Sequence, residues 1–186
     1  MDNDFDGHAV IDMRPVKTQE EYNLLQQLYI DSFPPEERRP WDKVVNPELE
    51  EDGRALAIHF KLGSEDFRLF GLITLWNFDD FVYIEHFAIY PECRNLGVGS
   101  LLIRALKESM KHPIVLEAEL PGSNDMAERR IAFYERNGLV PLHHDYVQPP
   151  VTPGQPELPL LLLSSEPDID VDYVEAVLRR CVYKVD

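Results

Sequence analysis

Hydrophobic positions along the chain change their period several times, and each change marks an element. A short alternating run at residues 9–13 predicts a first strand. Thr18 then stands three residues before Glu21, a capping-box pattern, and Tyr22, Leu25, Tyr29 and Phe33 recur at helical spacing until Pro34-Pro35 stops the run. The charged stretch 36–52 is broken by Pro40 and Pro47 and reads as a short helix around 41–45 within irregular chain. Strand-like runs follow at 55–61, 67–76 and 81–90, with turn chemistry at Gly63-Ser64 and at Asn77 with Asp79-Asp80, which predicts an antiparallel meander. The period then lengthens: Val98, Leu101, Leu102, Ala105, Leu106 and Met110 share one helical face, ended by Pro113. A strand at 114–119 comes next, then a helix at about 124–137 with Gly138 as its left-handed cap. Strands at 139–148 and 158–163 flank a Pro/Gly-rich loop, and Val174, Val177, Leu178 and Cys181 mark a terminal helix.

A sheet that begins antiparallel and then takes up a strand–helix–strand unit predicts a mixed α/β (α+β) domain. At 186 residues the expectation is one domain spanning the chain, with 168–186 an appended helix. Ligands of such sheets favour the carboxyl end of the strand that precedes a crossover helix, here the strand ending near Tyr90.

Charge narrows the partners. With 34 acidic residues against 18 Lys+Arg the net charge is −16, so nucleic acid and anionic membranes are disfavoured. The opening MDNDFDGHAV has neither a basic nor an apolar leader segment, and no apolar run approaches the roughly 20 residues that span a bilayer. Cys93 and Cys181 form no CxxC pair and read as free thiols, which together predicts a cytoplasmic location.

The run Arg94-Asn95-Leu96-Gly97-Val98-Gly99 lies between a strand and a helix start, where unpaired N–H groups and the helix dipole suit a pyrophosphate. A P-loop would need Lys and then Ser or Thr after the second glycine, but Ser100-Leu101 follows Gly99. A Rossmann fingerprint would need a third glycine where Leu102 stands, and a parallel start where a meander is predicted.

The turn resembles the [R/Q]xxGxG motif of the GNAT N-acetyltransferases. The resemblance extends to the strand YIEHFAI from Tyr83, to the apolar helix at 101–110, and to FYERNGL from Phe133, which is similar to the family's second signature. It implies the GNAT acyl-CoA N-acyltransferase fold, a mixed central sheet of about seven strands with flanking helices. It also implies acetyl-CoA as cosubstrate, with no metal, and direct attack by a primary amine in a ternary complex. The amides of Leu96, Gly97, Val98 and Gly99 would hold the pyrophosphate, with Arg94, Asn95 and Ser100 beside them. Main-chain groups of Phe87 and Ile89 would pair with the pantetheine arm, and an amide near Ala88 would polarise the thioester carbonyl. Tyr134 matches the tyrosine that protonates the leaving thiolate. Glu85, on the same strand face as Tyr83, is the candidate base acting through water, with binding of the cationic amine or of a neighbouring side chain as the alternative. Asn124 is a coenzyme contact candidate, because Ala127 stands where relatives carry Asn. Arg129 and Arg130 could meet the adenosine phosphate or lie solvated.

His86 and the adjacent pair His143-His144 show no metal-ligand spacing. Acceptor choice is expected from residues 33–52 and 148–157, with Phe33, Trp41 and Tyr146 as candidate pocket walls. Two other readings stand beside the enzyme: a non-catalytic acyl-CoA-binding regulatory module, and a homodimer or interaction protein docking through the terminal helix.

Overall fold

The computed structural model describes residues 9–45, 53–63, 65–142 and 145–185. One mixed sheet runs in the order β1-β2-β3-β4-β5-β8-β6, with β7 also on β8. Its strands are β1 (Ala9–Pro15), β2 (Gly53–Leu62), β3 (Arg68–Asn77), β4 (Val82–Ile89), β5 (Ile114–Glu119), β6 (Val140–Pro141), β7 (Tyr146–Gln148) and β8 (Leu158–Ser164). The helices are α1 (Gln19–Ser32), α2 (Trp41–Val45), α3 (Val98–Ser109), α4 (Asp125–Arg136) and α5 (Val171–Val177).

β1 to β4 form the expected meander, and β4 and β5 are the parallel pair joined through α3. The single strand expected over 139–148 is two short ones. Pro141 pairs with Leu163 and Tyr146 with Leu160, so five steps on one side answer three on the other and the ladder is interrupted. His143 and His144 lie outside the described residues, as do residues 46–52 after α2.

Thr18 accepts the Glu21 N–H at 3.1 Å and starts α1. The Glu21 carboxylate turns to Arg14, His59 and the Lys17 N–H, tying the helix start to β1 and β2. α3 buries Val98, Leu102, Ile103 and Leu106 against one sheet face, each worth roughly 1.5–3 kcal/mol of transfer free energy. α1 and α2 cover the other face with Leu25, Leu28, Tyr29 and Trp41.

The terminal helix lies beside them. Val174, Val177 and Leu178 are buried against Trp76, Phe81 and Tyr83, so the face expected to meet a second subunit fills the chain's own core. Among the described residues, no helix is long and apolar enough to cross a membrane.

Candidate active site

β4 and β5 pair over only three positions, the last joining Ile84 to Leu116. β4 continues to Ile89 and β5 to Glu119, and the unpaired lengths diverge around a cleft of about 640 Å³. The cause lies partly in β4. Against β3 the register runs from Thr74–His86 directly to Leu75–Ile84, leaving Glu85 as the extra residue of a β-bulge. The bulge places Glu85 and His86 on one face, Glu85 against Trp76 and His86 against Tyr29 and Phe33. It also resets the alternation, so that Phe87 and Ile89 pack toward α3 and α4. Sequence alternation put Glu85 with Tyr83, and gave no sign that His86 would join them.

Backbone groups of successive strand residues address opposite edges. The Tyr90 N–H bonds to the Phe70 carbonyl on β3 at 3.0 Å, so counting back, Ala88 also addresses β3 while Phe87 and Ile89 address the cleft. The cleft-facing amide nearest the bulge is therefore that of Phe87.

Immediately after β4, Asn95 and Gly97 adopt left-handed backbone, at φ 61° and 78°. Gly97 is the N-cap of α3 and supplies no side-chain cap, so the first N–H groups of the helix stay open toward the cleft wall formed by Gly97, Val98, Gly99 and Ser100. A Cβ on Gly99 would come within 3.3 Å of the Phe133 ring, so this glycine lets α4 pack against α3 at the turn. Arg94 donates from Nε to the Ile89 carbonyl at 2.9 Å, bracing the strand end, and lines the cleft. Leu96 is exposed and does not line it.

From α4 come Arg129, Arg130, Phe133 and Tyr134. Tyr134 is buried, and burial pushes its phenol up to about 12. Arg130 is ion-paired with Glu119 across the cleft wall. The Asn124 side chain accepts the N–H groups of Met126 and Ala127 at 2.9 and 2.8 Å as the α4 N-cap, and it is not among the cleft-lining residues.

The opposite end of the cleft is acidic. Glu85 receives Arg39 Nε at 2.6 Å and Trp76 Nε1 at 2.8 Å. Burial alone would push its carboxyl up, but Arg39, His86 and the two hydrogen bonds outweigh this and hold it below the ordinary range. Both oxygens are thus committed to strong donors. His86 bonds Tyr29 Oη and the Glu37 carbonyl, and burial pushes it down despite Glu85. Glu117 sits where β5 has just left β4 and accepts hydroxyls from Tyr83, Tyr146 and Tyr183. Burial pushes it up to about 7 against the lowering effect of those bonds.

The two segments expected to shape the acceptor end do meet: Gln155 Nε2 donates to the Pro35 carbonyl at 2.7 Å, and Phe33, Gln148 and Val151 line the cleft. Trp41 instead packs on Tyr22 and Tyr29. Cys93 lines the cleft as a thiol kept protonated by burial and Glu92. Among the described residues no group of three or more His, Cys, Asp or Glu side chains is placed to hold a metal ion.

Sequence reading missed Arg39, Trp76, Glu117 and Tyr183. Glu117 carried a signal, a carboxylate between the apolar residues Leu116 and Ala118 of β5 just beyond the crossover. Arg39 lies in a charged stretch with no period, and nothing there separates it from Arg38.

The family model described as Acetyltransferase (GNAT) family matches residues 22–139. The chain belongs to the GNAT acetyltransferase family. A GNAT-family protein of Bacteroides thetaiotaomicron superposes with TM-score 0.79 at 34% identity, over 94% of this chain and 99% of that one. The Bacillus subtilis (strain 168) protein named "Putative acetyltransferase YjbC" is 37% identical over 66 residues, 35% of this chain and 34% of its own, so the match spans about a third of that relative. At the level of fold, a Bacillus subtilis acetyltransferase in complex with CoA matches at TM-score 0.52 and 16% identity, over 84% of this chain and 97% of that chain. A spermidine N-acetyltransferase chimera from Vibrio cholerae and hSSAT matches at TM-score 0.55 and 16% identity, over 83% and 94%. In this GNAT chain both signature runs reach one cleft, the turn before α3 from one side and Phe133-Tyr134 from the other.

Proposed function

We propose that this GNAT protein transfers an acetyl group from acetyl-CoA to a primary amine by direct attack in a ternary complex. The observation that carries the reading is the parting of β4 from β5 after Ile84 and Leu116, because it exposes strand backbone to the same cleft that receives the open amides of α3.

The residues present fit the cosubstrate. Amides of Gly97, Val98, Gly99 and Ser100 offer donors to a pyrophosphate at the positive end of the α3 dipole. Arg129 extends the positive charge toward the adenosine side. Phe87 and the Ile89 N–H offer strand backbone to the amides of a pantetheine arm, while the Ile89 carbonyl is held by Arg94, and the Phe87 N–H is a donor for the thioester carbonyl. A fold neighbour holding CoA supports the same assignment.

Tyr134 keeps its proton around neutral pH, since burial pushes it up to about 12. It serves the leaving thiolate as a hydrogen-bond donor, and complete transfer from so weak an acid waits on the sulfur approaching closely. Glu85, with its two oxygens held by Arg39 and Trp76, is a poor proton acceptor and serves to order Arg39 at the acceptor end. The terminal helix belongs to this machinery, because Val182 gives its carbonyl to Arg39 at 2.7 Å and Tyr183 lines the cleft.

The test has two readings. Acetyl-CoA at about 100 times its dissociation constant adds ~2.7 kcal/mol of stability, a rise in melting temperature of roughly 5–11 °C at this size. A panel of primary amines with acetyl-CoA is then assayed for free thiol and acetylated product. A thermal shift with product from at least one amine supports the reading, no shift at saturating acetyl-CoA overturns it, and a shift with no product favours an acyl-CoA-binding module without turnover.

A further inference from the structure

Glu117 and its three tyrosines form a cluster that the role assignments above leave unused. Tyr83 donates to Glu117 at 2.7 Å, Tyr183 lies 3.0 and 2.9 Å from its two oxygens, Tyr146 donates to one of them, and Tyr83 and Tyr183 touch each other at 3.0 Å. The hydroxyls come from β4, from β7 and from the chain after α5, three separate parts of the fold converging on one carboxylate. An ionised carboxylate offers about four lone-pair positions, and three hydroxyls leave room for one further donor. Part of Glu117 and of Tyr183 opens to the cleft beside the start of the β4–β5 gap. The donors around Glu117 are neutral hydroxyls, whereas Glu85 is matched by a guanidinium.

We infer that Glu117 is the base that takes the proton of the acceptor ammonium, directly or through one water, with Tyr83, Tyr146 and Tyr183 fixing its oxygens for the purpose. The inference rests on the amine-acetylation reading. One proton passes from R–NH3⁺ to Glu117, leaving neutral R–NH2. The nitrogen lone pair forms the C–N bond at the thioester carbonyl carbon, and the C–S electron pair leaves with sulfur. A second N–H proton ends on the thiolate, giving the N-acetyl amine and free thiol, and Glu117 returns its proton to water.

The surroundings suit that task. Glu117, pushed up to about 7, is matched to a base working near neutral pH. Of the groups facing the cluster, Tyr83, Tyr146 and Tyr183 are all raised by burial and stay protonated, Glu85 is kept anionic by Arg39, and Glu175 of α5, beside Arg179, adds its charge near Tyr146. Glu37 also rises to about 7, but its neighbours are Glu119, Arg130 and Glu36, which makes Glu37→Gln a fitting control.

Two measurements test this. With glutamate labelled by ¹³C at the carboxyl carbon and CoA added, two resonances should titrate near 7, one that vanishes in Glu117→Gln and persists in Glu37→Gln, and one that does the reverse. With the best acceptor from the amine panel, kcat/KM of the wild type should rise with pH to a plateau above about 7. Glu117→Gln should then lose roughly 100-fold in kcat along with the inflection, while KM changes less than about threefold and the acetyl-CoA thermal shift is kept. Tyr183→Phe removes one donor to the anion and should move the inflection upward, which a purely structural role would not do. A Glu117 resonance titrating near the ordinary carboxylate range, or Glu117→Gln turnover within threefold of wild type, overturns the inference alone. Absence of product from every amine with the coenzyme shift intact overturns the underlying reading, and the inference with it.

Discussion

Arg39 and Glu85 lie 46 positions apart and meet with Nε donating to Oε1 at 2.6 Å, both side chains at most 10% exposed. Arg39 lies over the rings of Trp76 and Tyr183 at 5.7 and 5.9 Å, so one guanidinium joins the segment after α1, the β4 bulge and the C-terminal turn. The pair holds this end of the cleft together, and cation and anion cancel within it.

Removing one partner should be far worse than removing both. Arg39→Met leaves the Glu85 carboxylate buried without its cation and should cost roughly 3–5 kcal/mol, whereas Arg39→Met with Glu85→Leu should recover much of it. Melting temperatures of the two variants decide this, with acetyl-CoA binding at the far end of the cleft measured as the check that the fold survives.

Much of this architecture was legible from the chain. The change of period at Val98, the Thr18 cap and the turn residues at 77–80 specify local geometry, and local geometry builds the meander and the crossover. The turn at one end of the cleft was legible for the same reason: its open donors are backbone amides of one contiguous run. The opposite end is assembled from Arg39, Glu85, Glu117 and Tyr183, which only tertiary packing brings together. The bulge at Glu85 was hidden too, because a single extra residue changes the register without changing the apolar pattern of YIEHFAI.

The two glycines of the turn should fail differently. Gly97 sits at φ 78°, where a Cβ costs roughly 1–2 kcal/mol, so Gly97→Ala should lower the melting temperature by about 2–8 °C even without ligand. At Gly99 the added methyl meets the edge of the Phe133 ring at 3.3 Å, and a ring can give way. Gly99→Ala should therefore melt close to wild type but bind acetyl-CoA more weakly, as the helix start and Phe133 move apart. Calorimetric titration with acetyl-CoA separates the two, and equal affinity in wild type and Gly99→Ala would contradict the role given to that contact.

Tyr134→Phe removes a hydroxyl that stays protonated and faces the cleft. It should lower kcat by roughly 10–100-fold with KM for acetyl-CoA little changed, since the lost hydrogen bond acts on charge developing at sulfur. The loss should be uniform from pH 6 to 9, because a phenol raised to about 12 does not titrate in that range. Unchanged turnover across the profile would remove Tyr134 from the chemistry and leave it as core.

Stability should bend with pH in two opposite senses. The Arg14 hydrogen bond, with help from the Lys17 N–H and His59, lowers Glu21 to about 2 against an ordinary 4.5. The folded state therefore holds its anion more strongly than the unfolded chain does, and that stabilisation is present above pH 4.5 and is lost as pH falls toward 2. Glu117 and Glu37 go the other way, each raised by burial to about 7, so the folded state holds their protons more tightly. Their contribution is full below pH 4.5 and declines as pH rises through 7. Melting temperature should thus fall on both sides of mildly acidic pH. Glu21→Gln should flatten only the acid limb, and Glu37→Gln with Glu117→Gln only the neutral limb. A neutral limb unchanged in the double variant would show that neither carboxyl titrates where its burial places it.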